Sequence, residues 1–255
     1  MGAAAVEAVA SQGCAVLMAC RNRAKAEAVR SDILTRIPDA RLEIGNLDLT
    51  SLDSVRRFAA NFEPGSVSAL FNNAGTTNRE FRLTDDGLEN TFSVNYFGPW
   101  LLTRLLADKM PEGGHIVNMV SLSCRYVSIT PDSLKPDEKT FGQLRNYARS
   151  KRALLSFTQE LARRYPALRV NAADPGIVAT NLIDLGHWFD PLTDVIFKPF
   201  CKTPKAGVQP ALRALSSEET DCYFVGKSFR SIPRHYLTPD LDRDIWDATE
   251  RIIHF

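Results

Sequence analysis

The feature that most constrains this chain is its alternation of short apolar runs with helix-length segments from end to end. The runs are CAVLMAC (14–20), ARLEIGNLDL (40–49), VSALFNNAG (67–75), HIVNMVS (115–121), LRVNAADPG (168–176) and YFVGKSF (223–229). Between or around them, residues 3–12, 22–36, 84–109, 145–164, 203–215 and about 240–252 read as helices by periodicity. A further helix starts at Ser51, with Asp53 and Ser54, and runs through VRRFAANF. Gly13 suits a helix C′ position, and Thr203 followed by Pro204 suits a helix start. Strands separated by helices of ten or more residues must pair in parallel through right-handed crossovers. The expected fold is therefore α/β: a Rossmann-type, doubly wound parallel sheet with helices on both faces. The run at 14–20 is apolar on both alternating sets, as a strand covered on both faces should be. Two stretches break the rhythm: 124–144, polar and turn-rich, and 181–202, rich in bulky apolar residues.

A chain of 255 residues can bury one large core, so residues 1–255 are read as a single domain. The formal net charge is +1, which points to no polyanion, and hence to no nucleic acid as partner. No apolar run is long enough for a stable membrane span, and nothing resembles a signal peptide. The five cysteines show no metal-type spacing, and a reducing cytoplasm fits them. The four histidines form no ligand cluster, and none is assigned to catalysis.

Chemistry enters with YARSK, Tyr147 to Lys151. On a helix these two side chains share one face. A fixed ammonium beside a phenol favours the phenolate, so the sequence predicts a tyrosine able to exchange protons near neutral pH. Y-x-x-x-K alone is common on solvated helices. Its company makes it specific: NNAG (Asn72 to Gly75), VNYFG (Val94 to Gly98), Ser121 ending IVNMVS, and DPG (Asp174 to Gly176) with Thr180. Most of these follow strand C-terminal ends, where doubly wound folds bind ligands.

With CRN, NLDLTS, NNAG, VNYFG, IVNMVS, YARSK, NAADPG and VGKSF in this order, the chain resembles the short-chain dehydrogenase/reductase family over nearly its whole length. KTPKAG, VGKSF and the long Ser121–Tyr147 interval resemble its retinol-dehydrogenase-like subgroup. The resemblance implies that Tyr147 is the general acid/base. Lys151 would bind the nicotinamide ribose and lower the Tyr147 pKa. Ser121 would hydrogen-bond the reacting oxygen, and Asn95 would fix a water in the relay. Ser123 is the reserve candidate for Ser121, because residues two apart in an extended segment share a side. Gly2, Arg21, Asn22, Asp48, Leu49, Asn73, Ala74 and Gly75 would bind the cofactor. So would Pro175, Gly176, Val178 and Thr180 at the nicotinamide end, with Tyr147 and Lys151. Arg21 stands where NAD-preferring members carry an acid, and its guanidinium fork suits a 2′-phosphate, with Lys25 adding charge. NADP(H) is therefore expected over NAD(H). Asp174 departs from the family, which often has a histidine there.

The segment 181–202 is read as a substrate lid, with Leu182, Trp188, Phe189 and Phe197 shaping an apolar pocket; packing under a C-terminal extension is the plainer reading. The expected activity is hydride transfer between NADP(H) and an apolar alcohol or its carbonyl compound. A non-catalytic dinucleotide-binding sensor or scaffold, an inactive fragment, and a nucleotide-sugar epimerase are the competing readings. Self-association as a homodimer or homotetramer is implied by the resemblance, through the helices 84–109 and 145–164. Gly2 resembles the last glycine of the family's T-G-x-x-x-G-x-G turn, whose backbone approaches the pyrophosphate. The expectation is that the preceding strand, which belongs between the strands at 14–20 and 67–72, is missing from this sequence. Met1 would then be an internal methionine of a longer protein, or a cut end. A chain beginning there would fold weakly and hold its cofactor poorly.

Overall fold

The computed structural model describes residues 1–178, 202–231 and 238–255. Seven strands and the helices between them follow the alternation read from the sequence. The strands are β1 (Val16–Cys20), β2 (Leu42–Asn46), β3 (Ala69–Asn72), β4 (His115–Met119), β5 (Arg169–Asp174), β6 (Cys222–Val225) and β7 (Ser228–Ser231). The helices are α1 (Gly2–Ala10), α2 (Arg23–Arg36), α3 (Leu52–Ala60), α4 (90–107), α5 (Gln143–Arg164), α6 (Pro204–Leu215) and α7 (Pro239–Ile253). Helix starts obey local chemistry. Asn22, Ser51, Thr203 and Thr238 each accept a hydrogen bond from a backbone N–H of the first turn they cap.

Two calls move. The helix expected over 84–109 begins only at Asn90, because the Glu89 carboxylate caps Thr91 and Phe92, and Gly87 takes a left-handed turn (φ +70°) just before it. The run 223–229 is not one last strand but a hairpin. Gly226, at φ +55°, is the first residue of a two-residue turn, and β7 returns antiparallel to β6. Within α4 the residues Ser93–Phe97 form a π-helical stretch between the α-helical Asn90–Phe92 and Gly98–Ala107.

The strands form two sheets, β1–β2 and β3–β4–β5–β6–β7. All pairs are parallel except β6–β7. Among the described residues no strand pairs with the free edge of β1 or with that of β3, and both edges line one cleft. The apolar run of β1 is accordingly not covered on both faces as its pattern predicts: Leu17 is 39% exposed. An unpaired edge leaves backbone N–H and C=O groups to solvent.

One sheet face carries the main core, where Phe92, Tyr96, Trp100, Phe157, Leu161 and Trp246 join α4, α5 and α7. The other face is covered by α1 and α6 through Ala5, Val208 and Ala211 against Val117, Met119 and Phe224. Helix α5 is buried at nearly every position from Asn146 to Ala162, because α7 of the same chain lies along it. Ser156 and Arg163 both donate to Asp242 at 2.6 Å, and the Trp246 ring sits 5.6 Å from Phe157 and 5.2 Å from Trp100. Helix α5, one of the two through which self-association is expected, carries α7 of the same chain along it.

Candidate functional site

The cleft between the two sheets, about 2420 Å³, runs along the facing edges of β1 and β3 and reaches the C-terminal ends of the parallel strands. It is lined by Gly2, Arg21, Asn22, Lys25, Asp48, Leu49, Asn73, Ala74, Gly75, Ser121, Ser123, Tyr147, Lys151, Pro175, Gly176 and Val178. Residues spread over most of the chain thus meet in one place. Asn95 does not line it, and Thr180 lies outside the described residues. So do Leu182, Trp188, Phe189 and Phe197 of the expected lid, of which only Lys202 is described.

Helix α5 delivers Tyr147 and Lys151 one turn apart, and β4 delivers Ser121 just past its end. Tyr147 and Ser121 line the same cleft, and the Ser121 side chain is near enough to act on the Tyr147 phenol. Ser123 donates from its Oγ to Ser121 Oγ at 3.0 Å and so stands behind it rather than beside the phenol. Of the two serine candidates, the geometry brings Ser121 to Tyr147. Lys151 is 2% exposed, and its Nζ donates to the Met119 carbonyl at 2.9 Å.

The electrostatics differ from the sequence expectation. Burial pushes the Tyr147 phenol upward; the Ser121 side chain pulls it down, and Asp174 and Cys124 push it further up. Burial brings Lys151 itself down to about 8, because its ammonium is cut off from water, while Cys124 pulls the other way. In the ligand-free protein the Tyr147 phenol is thus raised rather than lowered, with desolvation as the main cause.

Asn95 bridges two elements of the site. Its Oδ1 accepts from Thr76 N at 2.8 Å; its Nδ2 donates to Thr76 O and to Ser150 Oγ, each at 2.9 Å. Ser150 in turn donates to the Tyr147 carbonyl at 2.8 Å. Both amide protons of Asn95 are taken, and the side chain ties the loop after β3 to the helix carrying Tyr147. The π-helical stretch presents it there, a distortion common at functional sites. Ser150 and Thr76 were not singled out by any sequence motif. Gly75 completes the floor. A Cβ there would make ordinary contacts, 3.4 Å from Lys151 Nζ and 3.6 Å from Asn95 Oδ1, which places the loop against both.

At the far end, Arg21 follows β1, with its side chain 70% exposed and 3.9 Å from Asp48 Oδ1. The Asn22 side chain is engaged as the α2 cap, accepting from Lys25 N at 2.9 Å. Asp48 Oδ1 accepts from Thr50 N and Oγ1, which fixes the turn after β2. Gly2 opens α1, whose free N-terminal amides favour an anion. The buried Asn73 Oδ1 has no hydrogen-bond partner, an orphaned acceptor on the cleft wall that a ligand hydroxyl could satisfy. Cleft size, strand-end position, guanidinium, glycine floor and orphaned acceptor together fit a dinucleotide. Among the described residues no three His, Cys, Asp or Glu side chains could hold a metal ion, and no helix is long and apolar enough to cross a membrane.

Comparison with known proteins adds to this geometry. Residues 1–185 match the short chain dehydrogenase family. Human retinol dehydrogenase 14 is 32% identical over 280 residues, covering 99% of this chain and 83% of its own length. Human retinol dehydrogenase 13 is 31% identical over 261 residues, covering 96% of this chain and 78% of its own. A crystal structure of an uncharacterised protein from Mycobacterium paratuberculosis superimposes with a TM-score of 0.79 at 28% identity, covering all of this chain and 90% of that one.

Proposed function

The chain belongs to the short-chain dehydrogenase family, among relatives of the retinol dehydrogenases, and on that premise we propose that it interconverts an apolar alcohol and its carbonyl compound with NADP(H). It is an oxidoreductase acting on CH–OH groups. The observation that carries the mechanism is the Ser121–Tyr147 hydroxyl pair beside buried Lys151 in a cleft built for a dinucleotide.

When bound, the cofactor supplies or accepts the hydride. The chain's own residues do the rest. Ser121 and Tyr147 offer two hydroxyl donors to one substrate oxygen, which stabilises the negative charge that develops there during reduction. Tyr147 passes its phenolic proton to that oxygen in reduction and takes it back in oxidation. Its upward-shifted pKa keeps the phenol protonated at neutral pH, which suits the donor role. Lys151 and the 73–75 loop would hold the nicotinamide ribose, and Pro175, Gly176, Val178 and Thr180 the nicotinamide end. Arg21, with Lys25 near, would take the 2′-phosphate, and Asp48 and Leu49 the adenine. The names of the relatives support an apolar substrate, and the described free cysteines suit a reducing compartment such as the cytoplasm.

One observation favours the non-catalytic dinucleotide-binding reading. The facing edges of β1 and β3 have no strand between them among the described residues, which leaves the phosphate end of the cleft wide. A single experiment separates the two. Purified protein is mixed with NADPH and a panel of apolar ketones, aldehydes and quinones, and reduced-nicotinamide absorbance is followed. Turnover abolished by Tyr147→Phe is the expected result. Turnover retained by that variant refutes the mechanism, and NADPH binding without turnover on any carbonyl supports the binding-only reading.

A further inference from the structure

Asp174 lies one residue before the Pro175–Gly176 turn and is 1% exposed. A buried carboxylate is costly unless its oxygens are satisfied. Here Oδ1 accepts from the Gly176 backbone N–H at 2.8 Å, and Oδ2 accepts from the Tyr223 hydroxyl across the β5–β6 pair. Tyr223 is 2% exposed. Two guanidinium groups lie near its ring: Arg125, from the turn after β4, at 5.0 Å, and Arg230 of β7 at 5.7 Å. Burial first, then the charge of Asp174, pushes the Tyr223 phenol upward, so it stays a donor. The turn is also held from its outer side. Lys202 Nζ donates to the Pro175 carbonyl at 3.3 Å, Lys202 N donates to Ile177 O at 2.9 Å, and Val178 bridges to Lys202 in parallel. Gly176 sits at φ +73°, a left-handed conformation that the Asp174 hydrogen bond helps to fix.

We propose that Asp174 and Tyr223 form a positioning pair that sets the Pro175–Val178 turn against the Ser121–Tyr147 end of the cleft, and so fixes the seat of the cofactor's nicotinamide end. The inference rests on the functional reading above for its cofactor. The pinning of the turn is a property of the protein alone.

Two readouts test it. The first is amide hydrogen exchange across residues 173–178 in the protein without dinucleotide. The second is NADPH affinity by direct fluorescence titration, with KM and kcat measured beside it. Losing a hydrogen bond to a charged group is worth about a tenfold change or more. Asp174→Ala should speed exchange at Gly176 and weaken NADPH binding by about tenfold, raising KM for NADPH while kcat at saturation changes by less than about threefold. Asp174→Asn keeps an oxygen facing Gly176 N–H and should restore both readouts to within about threefold of wild type. Tyr223→Phe should fall between. If the alanine variant does not fold, the asparagine and phenylalanine variants decide by the same two readouts. Unchanged exchange and unchanged affinity overturn the proposal, and so does an asparagine variant as impaired as the alanine. Wild-type protein that binds neither NADPH nor NADH overturns the functional reading and the cofactor half of this one. The exchange arm would still decide the pinning.

Discussion

Lys151 should make the ligand-free protein less stable than it needs to be. Its ammonium is buried, and its pKa falls from the model-peptide value of 10.5 to about 8. A lysine whose folded pKa is depressed binds fewer protons in the folded than in the unfolded chain between pH 8 and pH 10.5. Stability therefore rises with pH across that window, and the cost is fully present below pH 8. A difference of about 2.5 pKa units corresponds to about 3.4 kcal/mol at pH 7. Lys151→Met removes the charge at nearly constant volume and should therefore stabilise the ligand-free protein by about 3 kcal/mol at pH 7, less the loss of the bond to Met119 O. In a chain of this size that is roughly 6–12 °C in Tm. The advantage should shrink to about 1.4 kcal/mol at pH 9.5, where the folded lysine has already lost its proton and only the unfolded one is still charged. Urea unfolding of both proteins at pH 7 and pH 9.5, followed by tryptophan fluorescence, measures it, while turnover should be lost in the variant. A variant less stable than wild type at pH 7, or a stability difference that does not change between the two pH values, refutes the reasoning.

Three further outcomes are expected. Ser121→Ala removes one of two donors to the substrate oxygen and should lower kcat/KM by about a hundredfold or more, whereas Ser123→Ala, one hydrogen bond further back, should cost about tenfold at most; equal losses would count against the assignment. Arg21→Ala should weaken NADPH binding by about tenfold and leave NADH binding within about twofold, read as the ratio of the two dissociation constants. Trp246→Ala empties the contact between α7 and α5 and should cost about 3–5 kcal/mol in urea unfolding; a variant as stable as wild type would contradict that packing.

Much of the fold is legible because it rests on local rules. Apolar runs of strand length, separated by helices, leave parallel pairing as the only short-range solution, and TPKAG announces α6 through Thr203 and Pro204 before any contact is known. The helix start at Asn90 was missed by several residues. It depends on the Glu89 side chain reaching its own backbone and on the positive φ of Gly87, and both compete with a periodicity that continues upstream. The YARSK, NNAG and IVNMVS stretches placed Tyr147, Lys151, Gly75 and Ser121 on the right elements, since an i, i+4 pair and a strand-end turn are local properties. Nothing in those stretches marks Ser150 or Thr76, because a serine that bridges Asn95 to the Tyr147 carbonyl has no sequence period of its own.

By itself the sequence determined the alternating architecture, the strand ends where the site forms and the residue types the chemistry needs. The tertiary structure decided three things: that α7 lies over α5, that burial raises the Tyr147 phenol, and that Asp174 meets Tyr223 from 49 residues away. The physical reason is common to all three. Desolvation and contact across a sheet sum over every group that folding brings near, and no window of neighbouring residues contains that sum.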